Sequence, residues 1–173
     1  IFGIFLCLSA FLLSLSCAPR DRYITITGYA QGGTYTVKVN LNGRDGMVKA
    51  SPEEIRDSVD SILSAIDMSL SGYNAKSLLS IFNDGRTMVP DTIFRDIYAH
   101  AWDVYEETGG VVDVASAPLF DMWGFGFKNG EMPSDETVAE VRQGCGLGRM
   151  MRDMDSVIGK DGILDPASLL GVE

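Results

Sequence analysis

Three stretches of this chain combine a flexible backbone with polar and aromatic side chains suited to a planar, phosphorylated ligand. The first is Ala30-Gln31-Gly32-Gly33-Thr34-Tyr35, where adjacent glycines allow positive φ and close backbone approach. Taken alone it is a weak signal, since Gly-Gly in a hairpin is usually only a turn. The second runs from Leu70 to Asn83 and sets Tyr73 just beyond a helix end, where its ring can stack on an aromatic heterocycle. Ser77, Ser80 and Asn83 follow three apart and so share one side of a helical turn. The competing reading is a helix–loop–helix connection with serine caps. The third is Thr108 to Gly126, in which Asp113 sits among valines between Gly109-Gly110 and a Pro118-Leu119…Trp123-Gly124 loop. A buried carboxylate needs partners. Asp113 could accept hydrogen bonds from a heterocycle with Trp123 packed on a ring, or cap the following loop with Trp123 in the core.

Periodicity predicts the elements that hold these segments. Asp21 to Leu41 reads as a hairpin, with Tyr23, Ile24 and Ile26 in one run and Tyr35, Val37, Val39 and Leu41 alternating in the other. Gly28 to Thr34 is the expected connection. Ser51, Pro52 and Glu54 form a capping box ahead of a helix whose Ile55, Val59, Ile62, Leu63 and Ile66 face the core. A second helix runs from near Asp91 to Thr108, with Ile93, Phe94, Ile97, Ala101, Val104 and Tyr105 inward, and stops at Gly109-Gly110. His100, the one histidine, lies inside it and is given no role. Val111 to Val114 predicts a short strand and the residues to Gly130 a loop. Ser134 caps a third helix through about Arg142, and Ser156 to Leu164 forms a closing hairpin around Gly159 to Gly162. The expected fold class is α+β, a hairpin and short strands forming a sheet packed by two or three amphipathic helices.

Composition bounds the function. At 173 residues and 46% hydrophobic the chain can build one domain core, and its net charge of −10 argues against a nucleic-acid partner. A nucleotide ligand remains open, since backbone N–H groups and a divalent cation can hold phosphates.

Ile1 to Ser16 is apolar and almost uncharged, an h-region too short for a comfortable transmembrane helix. Ser14-Leu15-Ser16-Cys17 resembles a lipobox, so residues 1–17 are expected to be a signal peptide with Cys17 lipidated; a plain secretory leader is the alternative. No basic n-region or initiator Met precedes it, and the chain is expected to begin inside the leader. Cys145 is then left unpaired, without a disulfide or zinc spacing, and reads as a small half-buried residue.

Gln-Gly-x-Thr-Tyr, then Leu-Ser-x-Tyr-Asn-x-x-Ser-x-x-Ser-x-x-Asn, then Gly-Gly-x-x-Asp-Val-x-x-x-Pro-Leu-x-x-x-Trp-Gly-Phe-Gly follow one another over residues 28 to 126. In that order they resemble the FAD:protein FMN transferase (ApbE) family. The resemblance implies an enzyme that splits FAD and moves FMN onto a Thr or Ser of an exported redox protein of an electron-transfer complex, with Mg²⁺ bound. It makes Gln31, Tyr73, Val111, Val112 and Asp113 flavin-nucleotide contacts, with Tyr73 packed on the flavin, and identifies no catalytic residue. Leu164-Asp165-Pro166-Ala167-Ser168-Leu169-Leu170-Gly171 begins like the next family motif, Leu-Asp-x-x-x-x-x-Lys-Gly-Tyr, and departs from it at Gly171. It would make Asp165 a further FAD contact and Ser168 a main-chain metal ligand.

The family's later His-containing and Asp/Thr segments, which complete the Mg²⁺ site, are not found in these residues. Residues 18–173 are therefore expected to be the N-terminal part of an incomplete transferase domain with little activity of its own. Lipid anchoring would place the protein on the periplasmic side of a bacterial inner membrane. The alternatives are an FAD pyrophosphatase or flavin-binding lipoprotein, and a non-catalytic exported lipoprotein.

Overall fold

The computed structural model describes residues 22–42, 49–125 and 132–170. The leader, with Cys17, lies outside them, as do Asp21, Gly126 to Gly130 and Gly171. The chain divides into two compact units, Ile1–Ser64 and Ala65–Glu173.

In the first unit, strands β1 (Tyr23–Ala30) and β2 (Gly33–Asn40) pair antiparallel, Tyr23 opposite Asn40 and Ala30 opposite Gly33. The connection is shorter than the sequence reading had it. Only Gln31 and Gly32 form the turn, with φ of 51° and 77°. Two successive positive-φ residues reverse the chain with a twist that matches the flanking strands, so Gly28 to Ala30 and Gly33 to Thr34 stay in the ladder. Ile26 is the hairpin's buried residue, 2% exposed. Opposite Tyr35, Gly28 leaves room for the phenol: a Cβ there would stand 2.4 Å from the ring, a clash. The Tyr35 hydroxyl donates to Asp60 at 2.5 Å, a bond that raises the phenol's pKa.

Asp60 belongs to helix α1 (Pro52–Leu70), which starts where the capping box places it. Ser51 N–H donates to the Glu54 carboxylate at 2.7 Å, and Glu54 N–H donates to Ser51 Oγ at 3.1 Å. The apolar stripe is less covered than its periodicity suggests. Ile55, Val59 and Leu63 are half-buried, while Ile62, at the edge of the stripe, is 60% exposed. Ser51→Ala removes one half of the reciprocal cap and is expected to lower stability by about 1 kcal/mol. Urea titration followed by far-UV circular dichroism reads that loss; an unchanged midpoint would remove the cap's role.

The second unit holds the larger core: Met88, Phe94, Met154, Leu164 and Leu169, flanked by Leu70, Leu78, Leu79, Ile81 and Phe82. Its backbone is tied by isolated antiparallel bridges, Met88 with Leu164 and Met150 with Leu170. Met88 N–H donates to Leu164 O at 3.0 Å and Leu164 N–H to Met88 O at 2.7 Å. This pairing replaces the closing hairpin expected over Ser156 to Leu164. Gly159 and Gly162 do make a turn (Gly162 N–H to Gly159 O, 2.9 Å), but Leu164 leaves it to bond a distant segment.

Helix α2 is Leu78–Asn83 and helix α3 is Thr92–Glu107. Asp91 caps α3, accepting from Phe94 N–H at 2.7 Å and from the buried Ser69 hydroxyl at 2.9 Å, which ties the end of α1 to the start of α3. The inward face of α3 carries Phe94, Tyr98, Ala101, Trp102 and Tyr105. Ile97 and Val104, expected inside, are 50% and 40% exposed. The buried stripe is turned by about one residue so that the large Trp102 ring goes inward, edge-on to Tyr105 at 5.6 Å.

Val111 to Val114 is not a strand. It bends into a 3₁₀ turn at Val114–Ser116 and then into helix α4 (Ala117–Met122), with Pro118 in its first turn, where a loop was expected. Helix α5 (Asp135–Gln143) begins at the predicted Ser134 cap, whose hydroxyl accepts from Thr137 N–H at 3.2 Å. Among the described residues the architecture is thus α+β, a two-stranded antiparallel sheet with five α-helices. No described helix is long and apolar enough to cross a membrane.

Candidate functional site

Asp113 explains why its segment folds as it does. Oδ1 accepts from Ala115 N–H at 2.9 Å and from Leu147 N–H at 3.1 Å; Oδ2 lies 3.2 Å from the same Leu147 nitrogen. The carboxylate therefore caps the 3₁₀ turn and fastens it to the Gly146–Leu147 segment. The loop cap is thus one of the two roles open to Asp113 in the sequence.

Around this clamp lies an open hollow of about 450 Å³. Its walls include Gly110, Val111, Asp113 and Ser116 from one side, and Arg142, Cys145, Gly146, Gly148 and Arg149 from the other. Tyr105 forms part of the wall between two glycines. A Cβ on Gly148 would stand 2.7 Å from the Tyr105 hydroxyl, and one on Gly110 3.3 Å from its ring. Both glycines thus let backbone close on the phenol, and Gly110, at φ 82°, also needs a left-handed conformation. Cys145 is half-buried as expected, its thiol 3.1 Å from Val141 O.

The predicted contacts fall in different places. Val111 and Asp113 share the hollow, with Val111 85% exposed beside it. Gln31 belongs to the first unit and forms the hairpin turn. Tyr73 lies in the second unit beyond α1, and its side chain is 90% exposed. The loop around it is tied down by serines. The Ser71 hydroxyl accepts from Asn74 N–H at 3.2 Å, and the Ser71 carbonyl accepts from the Ser77 and Ser80 hydroxyls at 2.5 and 3.2 Å. Ser77, fully buried, also caps α2 through Ser80 N–H at 3.0 Å. The serine row therefore holds the loop that presents Tyr73. Asp165 caps another 3₁₀ turn, Pro166–Leu169, through Ala167 N–H at 3.1 Å, and the Ser168 hydroxyl donates back to Asp165 O at 2.6 Å.

The ApbE family profile matches residues 31–168. The chain belongs to the ApbE family. It is 31% identical over 152 residues to the FAD:protein FMN transferase of Haemophilus influenzae, covering 83% of this chain and 43% of that protein. It is 29% identical over 151 residues to the protein of that name from Escherichia coli K12, covering 81% and 42%. The chain thus spans less than half the length of these curated relatives. Its fold is similar to the flavinyl transferase ApbE of Pseudomonas stutzeri in its apo form, with a TM-score of 0.68, 28% identity, and coverage of 87% of this chain and 48% of that one.

Within this ApbE-family chain, the Ser168 main-chain oxygen is the one donor assigned to Mg²⁺ by resemblance. Among the described residues no three His, Cys, Asp or Glu side chains gather to hold a metal ion. Mg²⁺ requires a near-octahedral oxygen shell, so these residues alone do not fit it. Tyr105, Ser116, Arg142 and the 145–149 segment were given no site role in the sequence. Gly146-Leu147-Gly148 between two arginines was the available signal, a close-approach backbone flanked by cations.

Proposed function

We propose that the protein to which these residues belong is an FAD:protein FMN transferase, acting on a Thr or Ser of an exported flavoprotein of an electron-transfer complex. The observation that carries this reading is the Gly109-to-Asp113 segment. It walls an open hollow of about 450 Å³ inside a chain of the ApbE family. Mg²⁺ belongs to the same reading, with its remaining ligands supplied from outside the described residues. So does a lipid anchor at Cys17, on the periplasmic face of the inner membrane.

In this reaction the acceptor hydroxyl oxygen bonds to the FMN phosphorus, the bond from that phosphorus to the bridging oxygen breaks, and AMP leaves with that oxygen. The acceptor's proton passes to solvent or to the leaving phosphate. The share of the residues described here is positioning. The exposed Tyr73 ring stacks on the isoalloxazine, Val111 and Val112 offer backbone to the ligand, and Asp113 keeps that backbone in place. Gln31 and Asp165 complete the set of nucleotide contacts.

Two measurements test the reading: FAD retention by this chain, and covalent flavin on an acceptor peptide made by the product of the whole reading frame. Fluorescent peptide with matching AMP release supports transfer. FMN and AMP without labelled peptide move the assignment to FAD hydrolysis, and a colourless protein that retains no FAD ends it. Tyr73→Ala gives a sharper expectation. Because the ring is exposed, stability should change by less than about 0.5 kcal/mol. Loss of the stacked ring should weaken FAD retention about tenfold or divert FAD to hydrolysis. Unchanged affinity and unchanged transfer would remove the stacking role.

A further inference from the structure

The arginines of the second unit sort into two groups. Arg86 pairs with Asp84, Arg95 with Asp155, and Arg152 with both Asp103 and Glu106. Arg142 and Arg149 pair with no carboxylate among the described residues, although the whole chain carries a net charge of −10. Both of them line the hollow beside Asp113. In an acidic protein, guanidinium groups find carboxylates readily, and two that stay clear of them in the same concavity leave their charge for something else. Arg142 stands in the last turn of α5, and Arg149 donates through Nη1 to the Gln143 carbonyl at the end of that helix. Among the described residues the one carboxylate lining the hollow, Asp113, is occupied by the N–H groups of Ala115 and Leu147. Two cations thus face one committed anion.

From this we infer that Arg142 and Arg149 form an anion subsite of the hollow that takes the phosphate groups of the dinucleotide. The assignment rests on the proposed flavin-nucleotide reading and adds specificity residues to it. Guanidinium forks suit phosphate oxygens because they can donate two parallel hydrogen bonds. A Cβ on Gly146 would stand 3.1 Å from Asp113 Oδ2 and one on Gly148 2.7 Å from the Tyr105 hydroxyl, so these glycines pack the wall of the hollow and the two guanidinium groups carry the anion binding. The subsite would favour FAD over riboflavin and ADP over adenosine. The competing role for Arg142 is purely structural, a cation complementing the C-terminal dipole of α5.

The test compares the chain with Arg142→Gln/Arg149→Gln, using Arg86→Gln as a control arginine away from the hollow. Binding of FAD, ADP, adenosine and inorganic pyrophosphate is measured by calorimetry or fluorescence, with thermal melting alongside. The expected result is a loss of about tenfold or more for ADP and FAD in the double variant, with adenosine unchanged and Arg86→Gln like the parent. Arginine-dependent binding of pyrophosphate by a chain that does not retain FAD would uphold the subsite and end the flavin reading. Equal binding of FAD by parent and double variant would overturn the subsite and leave that reading standing. A lower melting temperature with unchanged ADP binding would assign Arg142 to the helix dipole alone. Binding of neither FAD nor pyrophosphate by the parent would overturn both.

Discussion

Leu164→Ala is expected to cost about 3 kcal/mol of stability. Leu164 is fully buried against Met88, Phe94, Met154 and Leu169. Its two backbone bonds to Met88 hold the surrounding chain in position, so the truncated side chain leaves a cavity that cannot collapse. Leu164→Met keeps most of the volume and should cost less than about 1.5 kcal/mol. Denaturant unfolding followed by tryptophan fluorescence measures both, since Trp102 is buried in the same unit. A loss under about 0.5 kcal/mol for the alanine variant would mean the cluster is not the centre of that unit.

Asp113→Ala should affect stability and ligand binding together. Removing the carboxylate leaves the N–H groups of Ala115 and Leu147 without their acceptor, at a cost of about 1–3 kcal/mol. It also releases the Gly146–Leu147 segment from the 3₁₀ turn, so the two walls of the hollow lose their common tether. FAD affinity is expected to fall at least about tenfold. Asp113→Asn keeps a carbonyl acceptor and should recover part of both losses. A direct ligand contact would behave differently: the alanine variant would lose affinity at an unchanged melting temperature. Measuring melting and FAD binding on the same three proteins separates the two.

Local signals in the sequence translate directly into this structure. Ser51 with Glu54, Asp91 and Ser134 each place a helix start, because a cap is a contact between residues three apart and needs no knowledge of the rest of the chain. The valines at 111, 112 and 114 misled for the complementary reason. Their β-propensity is realised only when another strand pairs with them, and here the neighbouring Asp113 offers the backbone a cap instead. The pairing of Leu164 with Met88 is likewise non-local, and nothing near either residue announces it. Helix faces were legible to within one residue, the error being set by which aromatic ring the core accepts.

The candidate site was legible as segments and not as a set. Asp113, legible from its chemistry, and Val111, implied by the family resemblance, share a hollow, while its opposite wall, from Arg142 to Arg149, comes from a stretch that offered only the weak signal of glycines between two arginines. The serine row was open to ligand contact or to capping, and its hydrogen bonds fasten the loop that presents Tyr73. Hydroxyls three apart on a helical turn serve either purpose equally well; only their partners decide.

The placement of Tyr35 over Gly28 bears on how the hairpin forms at all. A slip of one residue would put the phenol against Thr27 or Tyr29, each with a side chain where the ring now lies, and would turn Ile26 out of its buried position. The pair therefore works as a key that admits a single alignment of the two strands. Among the described residues of the first unit, the pair thus guards the hairpin against misregistered pairing during folding, independent of any ligand.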